Sequence, residues 1–288
     1  MRFGISSHVF HDRRLAPADL EAVAAHGFTD VELFATPTHF DYRNAARVRE
    51  CGGWFDDLGL AVGSVHGPIC DGFDGGEWGR AWSNASGDRH HRQRAVDETL
   101  AAIDAAHTLG CSTIVLHLGL PRSQPVPPGD NDAGVLRQSL HALLEPAAAA
   151  GIRLALEVIP NDLSTPNALA DLLDGEDAID AGICLDLGHA HLMGGIAEAA
   201  ETLAGAIVTT HVHDNNGRDD EHLVPFSGTI DWPSALTVLW KVGYGERLVF
   251  EVAGDGDAAD VLTRTVGART RLQAILDELA EPMVFEAP

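Results

Sequence analysis

The sequence is short of positive charge: 19 Lys and Arg stand against 43 Asp and Glu, a formal net charge of −24 over 288 residues. A field of that sign repels phosphate backbones and anionic membrane surfaces, and it leaves no basic stripe for nucleic acid. No apolar run approaches the length that spans a bilayer. Residues 1–6 enter a strand pattern at once, with no signal-peptide apolar region, so a cytoplasmic, reduced protein is expected. The four cysteines, Cys51, Cys70, Cys111 and Cys184, lack CxxC or zinc-ribbon spacing. Cys111 and Cys184 flank or sit inside apolar strands and read as small core residues. A Gly-rich phosphate loop after the first strand is also missing, which disfavours a doubly wound dinucleotide-binding sheet. With no linker, low-complexity segment or close repeat, residues 1–288 read as one domain.

What is present is alternation. Short apolar runs over 2–6, 30–34, 61–66, 112–117, 152–158, 182–186, 207–211 and 247–252 predict strands. Helical patterns lie between most of them: 17–26, about 42–58, 92–109, 132–150, one starting at Thr165-Pro166, then 233–242 and about 257–279. Residues 69 to about 91 read as a long irregular loop. Eight strand–helix units in a chain of this length predict an α/β protein, a (β/α)8 TIM barrel. A hydrophobic content of 45% suffices for its large core.

The barrel reading explains where the polar residues fall. His66, His117, Glu157, Asp186, His211 and Glu251 end strands three to eight, and in a barrel those ends converge on one rim. One such residue is explained by the chain leaving the core. Six on consecutive strands point to a site. The densest stretch is I-V-T-T-H-V-H-D-N-N-G-R-D-D-E-H-L-V-P-F-S-G-T-I-D-W, residues 207–232: a strand ending on His211, then a turn, then Asp220 and His222. That last i, i+2 pair projects to one side of an extended segment. Glu157, Asp186, His211 and Glu251 mix hard oxygen with borderline nitrogen, which suits Mn²⁺ or Zn²⁺ first and Co²⁺ or Mg²⁺ next.

Other candidates carry competing readings. Trp78 and Trp82 form either a substrate wall or an anchor for the long loop, and Arg122 and Arg218 hold either an anionic substrate group or a surface ion pair. His90-His91 reads as a solvated helix start, and Glu32 as part of the barrel's own structure.

The motifs S-V-H-G-P, L-A-L-E-V-I-P, G-I-C-L-D-L-G-H-A, H-V-H-D-N-N-G with D-E-H-L and G-T-I-D-W, and V-F-E-V together resemble the xylose-isomerase-like TIM-barrel superfamily. The resemblance covers essentially the whole chain and is closest to the sugar (phosphate) isomerase/epimerase group. It implies that Glu157, Asp186, His211 and Glu251 hold one divalent metal and that His189 faces substrate oxygens. The apurinic-site endonuclease branch holds three zinc ions through nine ligands. The corresponding positions here are His66, His117, Glu157, Asp186, His189, His211, Asp220, His222 and Glu251.

The expected function is a metal-dependent isomerase or epimerase of a small sugar, sugar phosphate or cyclitol ketone. Glu157 and Glu251 would be acid and base on an enediolate, with His189, His66, His117, Trp78 and Arg218 facing the substrate. The expected partner is that small molecule, not nucleic acid or membrane, and a homo-oligomer is left open. Alternatives are a multinuclear-zinc phosphoester hydrolase, a cyclitol-ketone dehydratase and a catalytically idle sugar-binding barrel.

Overall fold

The strands are apolar on both faces, and every residue of Gly182–Asp186 and Arg247–Phe250 is buried. Such strands need cover on each side, and a closed barrel wrapped in helices supplies it. In the computed structural model, which describes residues 1–174, 179–253 and 257–281, eight parallel strands close on themselves. They are β1 (Arg2–Ser6), β2 (Asp30–Phe34), β3 (Ala61–His66), β4 (Thr113–Leu116), β5 (Arg153–Glu157), β6 (Gly182–Asp186), β7 (Ile207–Val212) and β8 (Arg247–Phe250). Pairing follows sequence order, and β1 completes the ring on β8 with Arg2 opposite Arg247 and Ile5 opposite Phe250. The single-domain span of 1–288 takes in 175–178, 254–256 and 282–288, which lie outside the described residues.

Val115, Ala155 and Cys184, from three adjacent strands, form a small cluster separate from the main core that joins strands to helices. All four cysteines are free and buried. Among the described residues no helix is long and apolar enough to cross a membrane.

The helix starts follow their caps. Asn44 accepts from the backbone of Ala46 and Arg47, so a helix spans Ala45–Leu58 and ends at Gly59, whose φ of 64° suits a residue without Cβ. Asp88 caps the helix Arg89–Thr108, three residues earlier than the hydrophobic pattern suggests. His90 and His91 therefore sit in the first turn. His91 is buried near Trp82, which corrects the solvated reading for that residue. Two short helices, Leu187–Leu192 and Ile196–Thr202, follow β6, and Asp186 caps the first of them. The long loop contains a hairpin, Phe73–Asp74 with Glu77–Trp78, and β1 leads into a 3₁₀ turn, Ser7–Phe10.

The end of the barrel opposite the polar rim is closed by Arg247 and Asp30, 3.2 Å apart, at the starts of β8 and β2. Gly63 makes room for them: a Cβ there would lie 1.9 Å from Arg247 Nη1 and 2.1 Å from Asp30 Oδ1. Near the rim, His39 ties down the 3₁₀ turn through Ser7 Oγ (3.0 Å) and accepts no solvent, its other nitrogen donating to the Arg13 carbonyl (2.7 Å).

Burial lowers the pKa of His39 to about 4 from the ordinary 6.5. Between those values the unfolded chain binds a proton that the folded chain refuses, so stability falls as pH drops through this window. His39→Gln should flatten that part of the curve in urea unfolding followed from pH 7 to pH 4. Equal slopes for variant and parent would remove His39 as a contributor.

Candidate active site

The register sets the site. Glu157 pairs with Cys184 across β5 and β6, and Asp186 with His211 across β6 and β7, so successive strand ends deliver their side chains to one level. His211 Nδ1 lies 3.1 Å from Glu157 Oε1, 3.2 Å from Glu251 Oε2 and 3.6 Å from Asp186 Oδ2. Its other nitrogen, Nε2, lies 3.1 Å from Glu32 Oε1, and Ser64 Oγ donates to Glu32 Oε2 at 2.8 Å. Glu32, Glu157, Asp186, His211 and Glu251 are all buried.

A neutral imidazole has one proton. If Nε2 donates it to Glu32, Nδ1 turns a lone pair toward three carboxylates, which repels unless a cation lies between them. Without such a cation the ring must take a second proton. Burial alone would lower the pKa of His211, but the anionic groups around it, Glu251, Glu32 and Glu157 among them, hold it well above the ordinary value. Either way the centre of the quartet requires positive charge. The four donor atoms lie within 4.8 Å of one another, and three carboxylates with one imidazole fit a divalent ion such as Mn²⁺ or Zn²⁺.

Two further groups flank the quartet. On one side His117 Nε2 and His66 Nε2 lie 3.0 and 3.3 Å from Glu157 Oε2, and His66 also reaches Glu251 Oε1 at 3.8 Å. On the other side His189 Nε2 and His222 Nε2 meet Asp220 Oδ2 at 3.0 and 3.2 Å, with His213 alongside. His213 Nε2 is 3.0 Å from Asp186 Oδ1, and its ring stacks on His222 at 4.1 Å.

Backbone carbonyls aim these rings. His66 Nδ1 donates to Gly67, His189 Nδ1 to Val158 and His222 Nδ1 to Glu251, at 2.9, 3.0 and 2.8 Å. A carbonyl only accepts, so each Nδ1 carries the proton and each Nε2 faces the cluster. Burial would lower His66 and His222, but carboxylates raise them to about 9 and about 10: Glu157 chiefly for the first, Asp220 for the second. His222 also holds a left-handed backbone, φ 47°, unusual for a residue with a Cβ and found where surrounding contacts enforce it.

Those contacts radiate from Asp214. Its buried carboxylate accepts from the backbone of Asn215, Phe226 and Ile230 and from Trp232 Nε1, all at 2.9–3.1 Å. One acid thus binds the D-N-N-G turn to the G-T-I-D-W segment and fixes the loop bearing Asp220 and His222. Gly228 permits the approach, since a Cβ there would lie 2.4 Å from Asp214 Oδ1. Gly188 does the same for His213: an added Cβ would meet its ring at 2.1 Å.

Above the groups a cavity of about 820 Å³ opens to the surface. His66, His117, His189, Asp220, His222 and Glu251 line it, as do Trp78 and Arg218, whereas Glu157, Asp186 and His211 lie beneath its floor. Trp82 reaches the lining but is an anchor, buried with Arg94 over its ring. Arg122 is ion-paired to Asp162. Four contributors were not assigned to the site from sequence: Glu32, His8, His11 and His213. A charged residue inside the D-V-E-L-F strand was the available signal for Glu32, and the H-V-H pattern for His213. Nothing marked His8 or His11.

A closed parallel barrel whose C-terminal rim gathers carboxylates and imidazoles around a deep cavity defines a TIM barrel with a candidate metal centre. The chain belongs to the xylose isomerase-like TIM barrel family, whose model matches residues 20–276. It is 30% identical over 272 residues to the uncharacterized protein MJ1311 of Methanocaldococcus jannaschii, covering 90% of this chain and 86% of that one. Among solved structures it is similar to a D-tagatose 3-epimerase-like protein, at 26% identity, TM-score 0.76 and coverage of 97% and 98% of the two chains. The fold is also that of the IOLI protein solved with a binding zinc atom, at 16% identity, TM-score 0.73 and coverage of 94% and 98%.

Gly188→Ala should displace His213 from Asp186 and weaken divalent-metal binding by roughly tenfold or more, the size of effect typical when a ligand loses its supporting contact. Competition with a chromophoric chelator measures it, with circular dichroism confirming the fold. Unchanged affinity would show that His213 does not organise Asp186.

Proposed function

We propose that the protein is a divalent-metal-dependent isomerase or epimerase acting on a small polyhydroxylated ketone, a sugar or cyclitol derivative. The observation that carries this reading is the placement of Glu157 and Glu251. Each sets one oxygen about His211 Nδ1, at 3.1 and 3.2 Å, and turns the other toward His66, at 3.3 and 3.8 Å. Two carboxylates approaching one small volume from strands far apart in sequence are what proton removal and return on opposite faces of a planar enediolate require. Similarity to the D-tagatose 3-epimerase-like protein supports the same class.

Glu157, Asp186, His211 and Glu251 would hold the ion, which when bound polarises the ketone and neighbouring hydroxyl oxygens and offsets developing negative charge. Zinc in the IOLI protein supports zinc as one candidate, beside manganese. Glu251, in the cavity wall, takes or returns a proton at the reacting carbon, and Glu157, just beneath the floor, would reach the other face of a substrate seated against that floor. Glu32 fixes the tautomer of His211. His189, held by Val158, directs Nε2 to the substrate oxygens, and Trp78 and Arg218 bound the far end. The free, buried cysteines fit a reducing, cytoplasmic setting.

The flanking groups favour one second reading, a multinuclear-zinc phosphoester hydrolase, because His66 with His117 and the His189–Asp220–His222 trio each offer a further set of donors. Elemental analysis of protein purified without chelator separates the two: three zinc ions per chain with cleavage of an abasic oligonucleotide would establish the hydrolase.

For the epimerase, turnover of a ketose panel in heavy water should place deuterium at the reacting carbon, and chelation should abolish it. Glu251→Gln should exchange substrate protons through Glu157 yet form no product. Product formed at the parent rate by Glu251→Gln would sink the two-carboxylate mechanism.

A further inference from the structure

The cavity is larger than its proposed head group needs. At about 820 Å³ it lies in the upper part of the roughly 300–1,000 Å³ range of drug-sized sites, far beyond what a single six-carbon sugar displaces. Its outer part is aromatic. The Phe73–Trp78 hairpin turns through Gly75 and Gly76, with φ of 59° and 86°, a pair of left-handed residues that suits a two-residue turn. It carries Trp78 into the lining, where 42% of the residue stays exposed. The indole is not loose: it stacks on His11 at 5.1 Å and 17°, and Phe73 meets its edge at 4.7 Å. His8 lies near-parallel behind, 4.7 Å from His11, and its buried Nδ1 has no hydrogen-bond partner among the described residues. A large aromatic face, rigidly held and open to the cavity, is a surface on which a second ring packs.

The charge of that ring follows from the lining. Of its two arginines, Arg122 is engaged by Asp162, and Arg218 is followed by Asp219, Asp220 and Glu221, which also line the cavity. Asp220 is met by His189 and His222, but Asp219 and Glu221 still outnumber Arg218, so a phosphate at this outer edge would meet more negative than positive charge. We propose that the substrate is a neutral ketose bearing a second ring, either another sugar or an arene, that packs on Trp78. This rests on the ketose reading of the cavity floor.

Binding by the Mn²⁺-loaded full-length chain tests it without turnover. Four ligands share one head and differ only at the distal oxygen: D-fructose, fructose 6-phosphate, isomaltulose and 6-O-benzyl-D-fructose. At least one ring-bearing ketose should bind tenfold or more tighter than D-fructose, and fructose 6-phosphate no tighter. Isomaltulose ahead identifies the second ring as a sugar, and the benzyl ether ahead identifies it as an arene. Trp78→Ala, at an exposed hairpin, should bring the affinity ratio of ring-bearing ketose to D-fructose within about twofold, and Trp78→Phe should retain most of it. Equal affinities, no binding of either ring-bearing ketose at millimolar concentration, a gain that survives Trp78→Ala, or preference for the phosphate would each overturn the proposal. Because no proton transfer is read, failure of the epimerase mechanism leaves this outcome separately visible.

Discussion

The structure depends on one imidazole held between carboxylates. His211 is fully buried, with Glu32 on one ring nitrogen and Glu157, Asp186 and Glu251 around the other. So much negative charge in a water-excluded interior is costly unless positive charge accompanies it. The histidines around it supply protons when nothing else does, and a divalent cation replaces those protons with a larger charge at a fixed point. Metal affinity and pH are therefore tied through the same groups.

The fold places this charge without placing strain in the barrel itself. The strands stay paired to their ends, with single register shifts at Val31/Glu32 and Ile183/Cys184, and most of the polar side chains emerge at those ends. The irregular backbone is pushed outward, into the segment that follows β7, where His222 and Phe226 adopt positive φ and Asp214 holds the loop through four donors. Stability at the opposite end comes from Arg247 and Asp30, so substitutions at the rim and at the base act on different properties.

Much of this was legible in the sequence because it follows periodicity. Eight apolar runs predict the barrel, and six polar residues at their ends converge as that fold requires; the ligand groups draw on those residues, on His189, Asp220 and His222, and on His213, which was not assigned from sequence. Helix starts were less legible, since caps such as Asn44 and Asp88 act through side-chain geometry that an apolar pattern does not register. Glu32 was read as barrel structure. It is buried in β2, but its partner His211 lies five strands away in chain order, a distance no local pattern spans. His8, His11 and the Trp78 hairpin come together only through the fold, their ring contacts linking residues far apart along the chain. His91 reversed its expected exposure because the preceding loop, not the helix pattern, buries it.

The most direct test of the account is calorimetric titration of metal-stripped protein with Mn²⁺ or Zn²⁺ near pH 7, repeated in buffers of different ionisation enthalpy. If the quartet is neutralised by protons on His211 and its neighbours until a cation arrives, binding will be tight and will release protons to the buffer. Binding too weak to saturate at millimolar metal, or saturation with no proton released, would contradict the claim that these carboxylates and imidazoles form a metal centre.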